Sequence, residues 1–405
     1  MTKILFCVLL INSILNARPP RIMWTKNYGG DGNESIKSIS RTLDKGYIIC
    51  GTTAPRGSTI TDIYLIKLDE RCDTLWSKTY GGIHDDVGNS LLQTADSSFI
   101  IAGHIWLRGW DGYDTYLLKV GPTGEMIWSK RYGENKRNEG AWSIVEADEG
   151  NHIILVDSGA VSTSGHYDAH LMKIDDDGEI MWERSVSSSN IKDVETGAMI
   201  QRTSSGSYIF TGKIGRESNV ENDYDVWLAK CTPDAEVIWS KAFGYAGPDG
   251  GRAVLQTSDG GYLVVGYIEH RITTRAIRTQ PGWLSLKNLQ SDVFVIKTDS
   301  DGNMMWCKTF GGDNDEDAYS VLETSDRGFI IGGYTGSFSV SGKDIYLIKI
   351  DDAGNECWSM TYGGLGDDCC FSVIEAHDGG YIAGCISDSF GRRDTDIYVI
   401  RFTDK

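Results

Sequence analysis

Proline is scarce in this chain, with 7 residues of 405 against 48 glycines. Glycine without proline points to many sharp turns between short elements rather than to a flexible low-complexity chain. Cations are also in deficit: 39 Lys and Arg face 57 Asp and Glu, a formal charge of -18. That balance argues against nucleic acid, whose binding rests on neutralising phosphates, and against anionic lipid. Excess negative charge instead favours solubility in an aqueous compartment. Beyond residue 17 no apolar run is long enough to span a bilayer, so no membrane insertion is expected after that point. No CxxC pair is present, which argues against a structural zinc site. There is no GxSxG elbow, HExxH helix or phosphate loop. Hence no catalytic residue is assigned.

What is present begins with MTKILFCVLLINSILNA, residues 1–17. Lys3 precedes an apolar run, Ile4 to Leu15, and Ala17 suits a cleavage point, so the stretch reads as a secretory signal. The mature chain, 18–405, is then expected to be secreted, periplasmic or on the cell surface. It keeps eight cysteines, at 50, 72, 231, 307, 357, 369, 370 and 385. They share no place in the repeat described next, and most are expected to pack as small core or turn residues.

The chain is a set of copies. Seven marker tryptophans, Trp24, Trp76, Trp128, Trp182, Trp239, Trp306 and Trp358, stand 52, 52, 54, 57, 67 and 52 residues apart. An Asp followed by an apolar run also occurs seven times, at Asp62, Asp114, Asp168, Asp225, Asp292, Asp344 and Asp396. Each copy holds four short strands, which in the sixth are expected at Tyr319 to Thr324, Phe329 to Thr335, Asp344 to Ile350 and Cys357 to Tyr362. The first two are joined by turns such as Asp259-Gly260-Gly261, where glycine supplies positive φ. The third and fourth are joined by Asp-x-x-Gly.

Runs such as Ile345-Tyr346-Leu347-Ile348 show no clean alternation, so both faces must be covered, here by the neighbouring copies. The fourth strand carries lysine two places after the tryptophan, at 26, 78, 130, 241 and 308, which suits an exposed outer edge. Four strands in about 50 residues is the size of a propeller blade. The chain starts with a lone fourth strand, Met23 to Tyr28, and ends with a lone third strand, Asp396 to Phe402. Their pairing would complete blade 7. The expectation is a single all-β domain, a seven-bladed β-propeller with four antiparallel strands per blade, closed by its N-terminal strand.

The run Tyr-Gly-Gly-x-x-x-Asp-x-x-x-Ser, followed by Asp-Gly-Gly-Tyr-Ile-x-x-Gly, resembles the bacterial seven-bladed β-propeller repeat found in exported proteins. The resemblance covers residues 22 to 402. It implies the fold and a binding or scaffold role, and nothing more specific. The Asp-x-x-Gly-x-x-x-Trp segments, Asp299 to Trp306 and Asp351 to Trp358, also resemble the tryptophan-docking hairpin of quinoprotein propellers. Those have eight blades against seven here, so no quinone is carried over.

Chain direction places the four-to-one and two-to-three loops on one rim, called upper, and the short uniform turns on the other. Individuality is therefore expected on the upper rim. Blade 5 has 25 residues between Gly266 and Asp292, against 10 between Gly333 and Asp344 in blade 6. The insert offers His270, Arg271, Arg275, Arg278 and Trp283, a cluster suited to a partner or a sugar acid. The alternative is a loop folded onto the protein's own carboxylates. Blade 2 offers Trp106, Trp110 and Tyr113, whose rings suit stacking on sugars or a partner's side chain, unless they pack on blades 1 or 3. Recurring acids, Asp31 and Glu34, Asp85 and Asp86, Asp315 to Asp317, Asp367 and Asp368, form oxygen-rich loops that invite Ca²⁺. None carries a full ligand ladder, and a blade-joining hydrogen-bond role is the competing reading. No cofactor is therefore expected, with calcium at Asp85, Asp86, Asp315, Asp317, Asp367 and Asp368 as the alternative.

The function expected from these observations is non-catalytic recognition of a protein or glycan on the upper rim by a monomeric exported propeller. Two rivals stand beside it: a glycan lyase or hydrolase with its site at the channel mouth, and a purely structural ring. Clustered His, Tyr, Arg or paired carboxylates at that mouth would favour the enzyme, and flat, exposed aromatic and Arg side chains without a titratable pair would favour binding.

Overall fold

In the computed structural model the described residues are 20–107, 112–133, 137–148, 150–160, 167–186, 195–215, 223–245, 247–270, 290–391 and 394–404. They form seven four-stranded antiparallel sheets, and the strands are numbered β1–β28 in chain order. Blade 6 comprises β22 (Glu316–Glu323), β23 (Phe329–Thr335), β24 (Asp344–Ile350) and β25 (Glu356–Tyr362). Its first strand starts three residues earlier than expected, because pairing continues to the rim, where Glu316 lies opposite Thr335.

Ring closure follows the expected route. The first strand, β1 (Arg21–Tyr28), pairs antiparallel with the last, β28 (Asp396–Thr403). Together with β26 (Asp368–Glu375) and β27 (Tyr381–Ser387) they make blade 7 in the order β1-β28-β27-β26.

The core is divided among the blade interfaces. Ile153, Leu155 and Leu171 of blade 3 pack with Tyr208, Phe210 and Trp227 of blade 4. Tyr47, Ile49 and Ile66 of blade 1 pack with Ile382, Ile397 and Val399 of blade 7. Each such residue moved from water to a dry interface contributes roughly 1.5–3 kcal/mol. This explains the missing alternation in the sequence. A blade buries both faces because it has a neighbour on each side.

The repeat motif residues hold neighbouring blades together. Trp76 donates its indole N–H to the Pro122 carbonyl of the next blade (3.1 Å), and the Tyr80 hydroxyl donates to the Gly124 carbonyl (2.6 Å). Gly124 adopts φ +78°, and a Cβ there would lie 3.1 Å from the Trp76 ring. The turn glycine thus serves both a left-handed backbone and a docked tryptophan. Lys26 and Lys130 reach across to Asp73 and Glu179 at 2.6 Å, so these outer-edge lysines also tie to the next hairpin.

A second set of lysines lies on the third strands and is buried. Lys67, Lys297 and Lys349 pair with Asp44, Asp259 and Asp326 of the one-to-two turn at 2.8, 2.8 and 2.7 Å. In blade 7 Arg401 takes that place and pairs with Asp378 at 2.7 Å. The lower rim is therefore stitched by an ion pair inside several blades.

Candidate functional site: the mouth of the central channel

The innermost strand of each blade carries a β-bulge at the same point. Register shifts fall between Ile36 and Ser38, Gly88 and Ser90, Ala141 and Ser143, and Gly197 and Met199. The others fall between Gly251 and Ala253, Ala318 and Ser320, and Cys370 and Ser372. One residue per blade is thus left out of the ladder and re-aimed. These seven are Lys37, Asn89, Trp142, Ala198, Arg252, Tyr319 and Phe371, and all of them line one central cavity of 530 Å³.

In five of the seven blades a glycine of the repeat stands opposite the bulge, with Val156 and Cys385 in its place in blades 3 and 7. Gly51, Gly103, Gly212, Gly266 and Gly333 lie opposite it, and a Cβ at any of them would come within 1.7–2.0 Å of a carbonyl oxygen on the bulged strand. Only glycine allows that approach. The motif glycine thus marks the bulge in five blades, and the bulged residue is different in all seven.

A second tier comes from the next strand, one step nearer the upper rim. Thr196 faces Lys213 across the ladder, Gly250 faces Tyr267, and Asp317 faces Tyr334. In blades 2 and 3 the same tier holds His104 and Asp157.

On the blade 4–6 side the two tiers interlock. Arg252 lies over the rings of Tyr267 (5.0 Å) and Tyr319 (5.2 Å). Its Nη2 and Nε donate to Asp317 Oδ2 at 3.0 and 3.2 Å. Burial alone would lower the Arg252 pKa, but Asp317 more than offsets it, so the guanidinium stays cationic. Lys213 lies over the other shared ring, Tyr267, at 5.3 Å. Gly250 gives them room, since a Cβ there would fall 2.9 Å from Lys213 Cε and 2.8 Å from Tyr267 Cε1. Burial, then the nearby Arg252, brings the Lys213 amine down to about 8. Tyr319 is held phenolic, chiefly by burial and then by Asp317.

Across the channel, Lys37 lies 5.1 Å from the Phe371 ring. The His104 ring sits 5.1 Å from Tyr113 and 6.2 Å from Trp142, and burial lowers its pKa to about 4, so it is neutral at pH 7. Asp157 is buried, accepts the Gly197 N–H at 2.6 Å, and is pushed well up by that burial. Among the described residues, the charged ones of the cavity wall are thus Lys37, Lys213, Arg252 and Asp157, three cations and one acid whose charge is disfavoured by burial. A cationic, aromatic mouth sits in a protein of charge -18.

Two of the blade 2 candidates belong to this site. Tyr113 lines the cavity, and Trp106, 47% exposed, has its ring 5.8 Å from Tyr113, forming an aromatic run from rim to channel. Trp110 and the blade 5 candidates Arg271, Arg275, Arg278 and Trp283 lie outside the described residues. His270 ends β19 (Tyr262–His270), opposite Gln290. A side pocket of 310 Å³ is lined by Arg252, Tyr267, Glu269, Ser291, Asp315, Asp317 and Tyr334. Arg252 is common to both hollows.

The recurring acids sit at the blade joints. Glu34, Glu316 and Asp368 accept the N–H of Gly30, Gly312 and Gly364 at 2.9–3.0 Å, closing the four-to-one loop. Asp85 accepts the Thr61 N–H (2.9 Å), Asp315 that of Ser291 (3.2 Å) and Asp367 that of Lys343 (3.0 Å). Asp86, buried and then disfavoured by Asp62, is pushed up to about 7. Asp317 serves Arg252 instead. These are the blade-joining bonds that compete with a metal for the same oxygens.

No protein-family model matches the chain, and no curated protein matches it. Solved structures do. The polysaccharide lyase Uly1 superposes over 98% of this chain and 95% of its own, with TM-score 0.55 at 9% identity. The Neurospora crassa Pan2 WD40 domain matches over 96% and 98%, with TM-score 0.53 at 13% identity. BBS1N, solved in complex with ARL6DN, matches over 95% and 97%, with TM-score 0.50 at 6% identity. At such identities the likeness concerns the fold alone: this chain is a seven-bladed β-propeller of four-stranded blades.

Proposed function

We propose that the protein binds acidic glycans, chains bearing uronic acids, in the mouth of its central channel. The observation that carries this reading is the convergence of Lys37, Lys213 and Arg252 with Trp142, Tyr319 and Phe371 around one cavity of an otherwise acidic protein. Cations recognise carboxylates, with Arg252 held ready by Asp317 for a paired contact. Flat rings stack on the apolar faces of sugars at low entropic cost. Export, expected from residues 1–17, would place such a protein among extracellular polysaccharides. On this reading the binding residues are those of the channel mouth rather than of the rim loops, with Trp106 and Tyr113 as the blade 2 edge.

Calorimetric titration with acidic and neutral oligosaccharides of equal length tests this. Acidic chains should bind, with affinity falling as salt rises, while neutral chains should not. Lys37→Ala and Tyr319→Ala should each weaken binding by roughly tenfold, about 1.4 kcal/mol, on the scale of a single cation or ring contact. Equal binding of neutral and acidic chains, or no effect of either substitution, would overturn the reading.

A further inference from the structure

We propose that the same mouth cleaves its acidic glycan by β-elimination, with Lys213 as base, Arg252 holding the uronate carboxylate, and Tyr319 returning a proton to the departing oxygen. The inference rests on the binding reading above and adds chemistry to it.

The first argument is which bond-breaking route the wall can serve. Glycoside hydrolysis uses two carboxyl groups flanking the bond, one as acid and one as base or nucleophile. Among the described residues lining the cavity, Asp157 is the one carboxyl, and it is 3% exposed and bonded to the Gly197 N–H. Its neighbour Asp317 is engaged with Arg252. Among the described residues, no pair of carboxyls lines this cavity.

Elimination has different requirements, and these are present. A cation on the carboxylate acidifies the adjacent C–H, a base takes that proton, and an acid protonates the leaving oxygen. Arg252 is pinned by Asp317 between two tyrosine rings, a rigid carboxylate receptor. Lys213 shares the Tyr267 ring with it, each about 5 Å from the centroid. Amine and guanidinium thus stand against one ring and both line the cavity. Tyr319, on the other side of Arg252, stays phenolic and keeps its proton to give.

The atoms balance without a co-reactant. The amine nitrogen takes the proton from the carbon bearing the carboxylate, and that C–H pair becomes a double bond to the β-carbon. The β-carbon–oxygen bond breaks, its electrons leave on oxygen, and the oxygen takes the phenol proton. The ammonium's proton then restores the phenol through solvent. One unsaturated uronate end and one new reducing end result.

The groups facing Lys213 set its pH range. Burial and Arg252 lower it, while Asp317 from β22 and Asp157 from β11 (His152–Ala160) raise it, and Tyr267 covers it. The net position, about 8, puts a free amine within reach of mildly alkaline solution.

The test incubates the full chain with polygalacturonate, polymannuronate and polyglucuronate, reading ultraviolet absorbance of the new double bond beside reducing ends. Absorbance and reducing ends should rise one for one, on at least one polymer, with a rate limb near pH 8. Lys213→Met should weaken binding by roughly tenfold, as loss of one cation does, and lower the rate at saturating polymer by roughly a hundredfold or more. Tyr319→Phe keeps the ring and should lose rate with binding intact, which a structural role alone would not produce. Reducing ends without absorbance would show hydrolysis and overturn the proposal. Binding without cleavage on all three polymers would overturn it too, leaving the binding reading in place. No binding at all would remove both.

Discussion

Removing Asp326 should destabilise the protein more than removing Lys349, although the two form one ion pair. Lys349 is 3% exposed at its side chain and donates to Asp326 at 2.7 Å and to the Thr324 hydroxyl, whereas Asp326 is 65% exposed. Asp326→Ala leaves a buried ammonium with one hydroxyl for company. Breaking a buried pair in this way costs roughly 3–5 kcal/mol when no water can enter. Here water reaches the aspartate's side, so the loss is discounted to about 2–3 kcal/mol. Lys349→Met removes the buried charge and keeps most of the volume, while Asp326 turns to solvent, so its cost should stay below about 1 kcal/mol. The double variant should match Lys349→Met. Urea unfolding at pH 7, compared at constant slope, reads all three. Equal losses for the two single variants, or a larger one for Lys349→Met, would refute the reasoning.

Other outcomes follow from the same ties. Burial would push Asp259 and Asp326 up, but hydrogen bonds from Lys297, Lys349, a threonine hydroxyl and a glycine N–H bring both down to about 2. A carboxylate lowered in the folded state contributes stability above its unfolded value of 3.8, so unfolding midpoints should fall as pH drops from 3.8 toward 2. Asp86 lies the other way, pushed up to about 7 by burial and Asp62, whose Oδ1 has no hydrogen-bond partner. Asp86→Asn should therefore raise stability at pH 8 by about 1 kcal/mol, measured by thermal unfolding, and a loss would contradict the repulsion. Gly354→Ala, at φ +78° and with its Cβ 2.8 Å from the Trp306 ring, should cost about 2 kcal/mol by urea unfolding. Deleting residues 21–28 removes the strand that pairs β28 and should open blade 7, giving self-association in light scattering.

Much of the fold was legible because repetition reports on packing directly. A tryptophan every 52 to 67 residues marks a ring that must lie on the next hairpin, and the lone end strands announce their own pairing. Less legible was the buried charge. Lys67 and Lys349 end runs that look wholly apolar, and only the turn aspartates 23 residues upstream, Asp44 and Asp326, explain them. The site was hidden for a different reason. A bulge is a property of pairing rather than of residue type, so Lys37, Asn89, Trp142, Ala198, Arg252, Tyr319 and Phe371 read singly as ordinary strand residues. A signal did exist: in five blades a serine follows a position that varies in chemistry, as Lys37, Asn89, Trp142, Tyr319 and Phe371. Attention to long loops pointed to Trp106 and Tyr113, beside the proposed site, and gave no sign of Lys37, Lys213 or Arg252 in its wall.

The most direct measurement is a crystal structure of the protein with a bound oligouronate. A carboxylate on Arg252, with a sugar ring against Tyr319 or Trp142 inside the channel mouth, is the result predicted. A saccharide bound on the rim away from Lys37, Lys213 and Arg252, with the channel mouth untouched, would contradict the account.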